Sequence, residues 1–158
     1  MAKDIEKQNL IEQSFIYKSW ESYINRDIQI WDSEYKLLKI SNLFNDKDVL
    51  IFRIPNIDCS PCIDQDVSFF NKNSKNLVYF ISSKNFRHYL AFCEKYPNKK
   101  CYLIPERGLS LKLEELGKPY LFFLKKGTLK PVCYFFPKKE LPKFSLQYIE
   151  IMNGNIDK

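Results

Sequence analysis

The run Val49-Leu-Ile-Phe-Arg-Ile54 constrains this chain more than any other stretch. It is apolar at nearly every position with no polar alternation, the pattern of a central strand covered on both faces. Two further apolar runs follow, Leu-Val-Tyr-Phe-Ile-Ser over 77–82 and Lys-Cys-Tyr-Leu-Ile over 100–104. Between the runs, apolar residues recur at helical spacing: Ile63, Val67 and Phe70 in the first interval, Phe86, Leu90 and Cys93 within 85–96 in the second. This βαβαβ alternation predicts an α/β fold with parallel strands and helices on both faces. The order then changes. A short helix or turn over 109–116 and a turn at Gly117-Lys-Pro119 lead to a strand over 120–124, a hairpin connection, and an antiparallel partner over 129–136, so the central sheet is mixed. Pro137 and Pro142 bracket the start of a last helix over about 141–152. Upstream, 35–40 reads as a short strand followed by a turn of helix. Ile16, Trp20, Tyr23, Ile24 and Ile28 recur at three and four, predicting an amphipathic N-terminal arm. The division expected is an N-terminal helical arm over 1–34 and one α/β domain over 35–158, a length suited to a single core.

Several function classes drop out. The chain has 25 Lys+Arg against 19 Asp+Glu, a net charge of +6. The charge comes mostly from lysine pairs such as Lys99-Lys100, Lys125-Lys126 and Lys138-Lys139, scattered rather than clustered, so no nucleic-acid partner is expected. Four dispersed glycines build neither a P-loop nor G-x-G-x-x-G. The single histidine, His88, excludes H-E-x-x-H and Cys₂His₂ sites and falls on a polar part of its helix, where it reads as a surface residue. No metal site or other cofactor is expected. No apolar run approaches the ~18 residues of a membrane helix, and the start, MAKDIEKQNLIEQSF, lacks a signal-peptide h-region and cleavage site.

Of five cysteines, Cys59 and Cys62 are separated by Ser-Pro between a buried strand and a helix. At a helix N-terminus, unpaired N–H groups and the positive end of the dipole favour an anion, which lowers a thiol pKa. The spacing brings the second sulfur one turn along, within disulfide reach. Cys59, nearer the loop, is then the attacking thiol and Cys62 the resolving one. Pro61 suits a first helical turn, where no N–H is required. A zinc half-site would need two more ligands, and Cys93, Cys101, Cys133 and His88 lack the spacing to supply them. An inert core pair is the other alternative. Cys93 and Cys101 read as core, with a disulfide between them geometrically possible. Cys133 alternates with Val132 and Tyr134 along a strand and reads as packed, its thiol without a partner.

Over roughly 35–155 the chain resembles the thioredoxin-like superfamily, and within it the TlpA-like thiol-disulfide oxidoreductases. The likeness rests on Val49-Leu-Ile-Phe-Arg-Ile before Cys59-Ser-Pro-Cys62, on Gly117-Lys-Pro119-Tyr-Leu-Phe-Phe-Leu-Lys-Lys-Gly127, and on the helix and strand between them. It implies a disulfide-exchanging monomer without a cofactor, acting on protein thiols and disulfides and served by an upstream redox partner. It also implies that Pro119 follows a cis bond and that the backbone around Lys118 presents a strand edge to the partner's cysteine. A periplasmic or otherwise exported location follows from the resemblance; the missing leader makes the cytoplasm the alternative. Two departures stand out. Asp58 replaces the family's tryptophan before the first cysteine, and Arg53 replaces the buried acid on the preceding strand. If Arg53 points under the motif its charge favours a thiolate, which Asp58 opposes. Asp64 and Asp66 read either as relay groups or as first-turn acids suited to the helix dipole. These departures favour a second reading, an interaction module whose CxxC is structural or vestigial. A peroxiredoxin-type peroxidase is the third, and no Thr-x-x-Cys supports it.

Overall fold

The computed structural model describes residues 2–19, 22–57, 61–138 and 142–156. Helix α1 (Ala2–Ser19) leads to β1 (Gln29–Trp31), β2 (Leu37–Lys39) and a 3₁₀ turn at Ile40–Asn42. The central elements are β3 (Val49–Ile54), α2 (Pro61–Asn73), β4 (Leu77–Ile81), α3 (Phe86–Lys95) and β5 (Lys100–Leu103). A 3₁₀ turn at Lys112–Leu116, β6 (Tyr120–Leu124), β7 (Val132–Phe135) and α4 (Pro142–Ile156) complete the order. The seven strands form one sheet in the order β2-β1-β5-β4-β3-β6-β7. β3, β4 and β5 are parallel, while β6 runs antiparallel to β3 and β7 to β6. The fold is the mixed α/β sheet expected.

Strand alternation divides the core. Leu50, Phe52 and Ile54 of β3 point to one face with Tyr79 and Leu121, against Val67 and Phe70 of α2, Tyr89 of α3, and Ile149 and Met152 of α4. Val49 and Ile51 point to the other face with Phe80 and Phe122, covered by Ile24, Phe44, Leu109 and Leu113, with Ile16 of α1 packed alongside. Helices therefore lie on both faces, three on the first and α1 with the 3₁₀ turn on the second. Every residue of β3 is buried, which explains the absence of polar alternation. Helix α3 begins where the Asn85 side chain accepts from the Arg87 N–H at 2.9 Å.

The N-terminal helix ends at Ser19, short of the expected 28. Ile24 and Ile28 instead meet the core from chain that is neither helix nor strand, and Ile30 from β1, where alternation turns it inward. β1 joins the sheet antiparallel to β5 through Trp31 opposite Leu103, so sheet structure starts inside the segment expected to be helical arm. β7 is also shorter than expected and irregular. The register with β6 shifts between Leu121 and Phe123, and Cys133 takes φ +56°. That bulge leaves Cys133 exposed rather than packed.

Candidate functional site

The candidate redox pair lies where β3 gives way to α2. Cys59 and Asp58 fall outside the described residues. Cys62 is the second residue of α2 and Pro61 the first. The connection is anchored to the next strand: Ser82 N–H donates to the Ile54 carbonyl at 3.0 Å, and Ile57 N–H donates to the Ser82 carbonyl at 3.2 Å. Asp64, in the first turn of α2, is exposed and pairs with Lys95 of α3 at 3.3 Å, a surface contact. Asp66 is half-buried farther along the helix.

Beneath the connection, Arg53 is 1% exposed. Its Nε donates to Glu114 Oε1 at 2.9 Å, and its Nη1 donates to Ser82 Oγ at 2.9 Å and toward the Ile54 and Phe80 carbonyls at 3.3 and 3.4 Å. The Ser82 hydroxyl in turn donates to the Ile104 carbonyl at 2.9 Å. Glu114 Oε1 also accepts the Leu109 N–H at 2.8 Å. Gly108 permits this wrap: it has φ +77°, and a Cβ there would stand 2.8 Å from Glu114 Oε1. The guanidinium thus arrives with its counter-ion. Its charge is answered by Glu114, which weakens whatever support Arg53 would lend a thiolate from beneath the motif. Tyr120, opposite Arg53 on β6, is fully buried beside Glu114. Burial first, then the Glu114 charge, pushes its pKa well up.

Pro119 directly precedes β6. Since Tyr120 pairs with Arg53, Pro119 belongs to the same end of the sheet as the β3 exit. No peptide bond among the described residues is cis, so the Lys118–Pro119 bond is trans, against the expectation drawn from the resemblance. A trans bond is the ordinary state for X-Pro unless tertiary packing holds the alternative. Lys118 turns toward α1, where its Nζ donates to Glu12 Oε1 at 3.3 Å. Glu12, 4% exposed, also accepts from Lys138.

The other candidates lie apart. His88 is exposed on α3, and Cys93 and Cys101 are free thiols between α3 and β5. Glu114, Ser82 and Gly108 escaped the sequence reading. The available signal was Arg53 itself, because a charge in an apolar strand demands a buried acid. Nothing in the spacing distinguishes Glu114 from Glu106 or Glu115.

No protein-family model and no curated protein matches the sequence. Solved structures do. A thioredoxin-like protein from Porphyromonas gingivalis superposes with a TM-score of 0.56 at 13% identity, over 81% of this chain and 90% of that one. The exposed lipoprotein thioredoxin of Streptococcus pneumoniae gives 0.51 at 18% identity, over 79% and 98%. A thiol:disulfide interchange protein from Bacteroides gives 0.51 at 13%, over 81% and 89%. Likeness at these identities is likeness of fold, and the fold of this chain is thioredoxin-like.

Proposed function

We propose that the protein is a thiol-disulfide oxidoreductase of the TlpA-like kind, exchanging disulfides with protein partners through Cys59 and Cys62. The observation that carries the reading is the position of α2, which starts at Pro61 directly after the buried central strand of a thioredoxin fold. A cysteine there meets unpaired N–H groups and the positive end of the helix dipole, which favour a thiolate. Because Glu114 neutralises Arg53, the helix terminus supplies the main stabilisation, opposed by Asp58.

In the reducing direction, the Cys59 thiolate attacks a partner disulfide and expels one partner thiolate. The Cys62 thiolate then attacks Cys59 Sγ of the mixed disulfide, releasing the second partner thiol and leaving Cys59 and Cys62 joined. Two electrons pass to the partner, and an upstream redox partner returns them. Pro119 and the backbone at Lys118 form the edge on which the partner's cysteine rests. The protein works as a monomer in an exported compartment, whose redox poise sets the direction of flow. The Cys59→Ser variant is expected to reduce insulin no faster than the buffer, and Cys62→Ser to accumulate mixed disulfides. Undiminished turnover in Cys59→Ser would overturn the proposal.

The Arg53–Glu114 pair, standing where the family carries a relay acid, favours one rival, an interaction module with a structural CxxC. Equilibration with glutathione buffers separates the two. An exchanging pair titrates within the range of such buffers, whereas a structural bond stays oxidised throughout.

A further inference from the structure

Helix α1 is fastened by a charge. Among its described side chains Glu12 is the one that is buried; Ile16 packs half-buried against the core, while Leu10 and Tyr17 are exposed. A helix in a protein is stabilised by what it packs on more than by itself. The Glu12 carboxylate accepts from Lys118 Nζ at 3.3 Å on one oxygen and from Lys138 Nζ on both. The two lysines come from different segments and meet at one end of the sheet. Lys118 immediately precedes Pro119 and β6, whose first residue lies opposite Arg53. Lys138 follows β7, where Phe135 lies opposite Leu121 of β6. Since β6 and β7 are antiparallel, the entry of one stands beside the exit of the other, at the end where β3 leads toward α2. Two half-buried ammonium groups converging on one point repel unless an anion stands between them, so the pair is a carboxylate site whichever chain supplies the carboxylate.

We propose that Lys118 and Lys138 form a docking subsite for an acidic segment flanking the partner's reactive cysteine, and that Glu12 of α1 occupies this subsite until the partner's carboxylates displace it. The inference rests on the reading of Pro119 and the Lys118 backbone as the edge that receives the partner. Glu12 belongs to the same chain, so it competes at an effective concentration on the order of millimolar. A stray anion in solution is thereby kept off the lysines. A partner held at Cys59 in a mixed disulfide is tethered as well, and its carboxylates then compete on equal terms. Selectivity follows from charge: an acidic flank replaces Glu12 on the lysines, a neutral flank leaves Glu12 in place, and a basic flank meets two ammonium groups. Displacement costs α1 its buried ion cluster and leaves Ile16 and the contact with the 3₁₀ turn at Lys112–Leu116 to hold it.

The test follows the fluorescence anisotropy of a rhodamine-labelled, cysteine-free peptide bearing a row of aspartates, titrated with the full chain, beside the same peptide with asparagines in their place. Glu12→Gln empties the subsite, and the aspartate peptide is expected to bind that variant about tenfold tighter than the unsubstituted chain, because the open fraction rises. The asparagine peptide is expected to show no such gain. Adding Lys138→Gln to Glu12→Gln is expected to remove most of it. Equal affinity of the two chains for the aspartate peptide would overturn the proposal, as would an equal gain for the asparagine peptide. A second measurement needs no variant: saturating the unsubstituted chain with the aspartate peptide is expected to speed amide hydrogen exchange in α1, and unchanged exchange there would also overturn it. The peptide contains no sulfur, so its binding is independent of Cys59 and Cys62, whose chemistry the glutathione titration reads. A pair that titrates in a chain blind to the acidic peptide sinks the subsite alone; a chain that binds the peptide but whose pair stays oxidised sinks the redox reading alone.

Discussion

Arg53 and Glu114 hold one another in the interior at 2.9 Å, and Ser82, Leu109 and Gly108 complete their surroundings. A buried guanidinium is tolerated when its donors are answered, and removing its anion leaves an uncompensated charge. Glu114→Ala is therefore expected to cost about 3–5 kcal/mol, read as a lower urea midpoint. Arg53→Met combined with Glu114→Leu is expected to cost much less than the two single changes summed, since the pair is coupled. Gly108→Ala combines a left-handed backbone with a Cβ pressed on the Glu114 carboxylate, and a loss of more than about 1 kcal/mol is expected by the same measurement. At this scale the sequence was half legible. Arg53 in an apolar strand announces an acid, but that acid lies 61 residues away, beyond the reach of any local pattern. Cys133 misled for a related reason: alternation along a strand presumes regular pairing, and a bulge breaks it.

Among the elements, those with long uniform patterns were legible and the short ones were not. β3, β4, β6, α2 and α3 stand close to where apolar runs and helical spacing put them. β1 is three residues long, too few to show a period, and it exists because Trp31 pairs with Leu103 and Ile30 with Leu38. Helix α1 is held at Glu12, which two lysines from distant segments converge upon. Glu12→Ala leaves those ammonium groups facing each other, and a loss of about 1–3 kcal/mol is expected. The loss should be visible as faster amide hydrogen exchange in α1 with little change in β3. The contact between α2 and the sheet runs through Phe52, whose ring meets Phe70 edge-on at 5.2 Å and Tyr79 at 6.0 Å. Phe52→Ala is expected to cost about 3–5 kcal/mol in thermal or urea unfolding, the range for emptying a core aromatic site.

For the whole molecule, aromatic burial sets the response to alkali. Burial pushes the phenols of Tyr79, Tyr89, Tyr120, Tyr134 and Tyr148 above the ordinary 10.0. Their contribution to stability is intact below that value. As pH climbs past it, the unfolded chain releases protons that the folded chain keeps, and the equilibrium moves toward unfolding. The urea midpoint is expected to hold at moderately alkaline pH and to fall steeply above about pH 10, with phenolate absorbance appearing together with unfolding. A midpoint unchanged through that range would contradict the placement of these rings.

The sequence by itself determined the α/β class, the parallel core of the sheet, the antiparallel pair that follows, and the helix beginning beside Cys62. Each is encoded by residues within a few positions of one another, through side-chain periods of 2 and 3.6. Only the tertiary structure decided the anion that answers Arg53, the recruitment of β1, the bulge at Cys133 and the trans bond before Pro119. Those outcomes depend on which distant segments pack together, and burial of a polar group or alignment of a short strand gains nothing until the remote partner is in place.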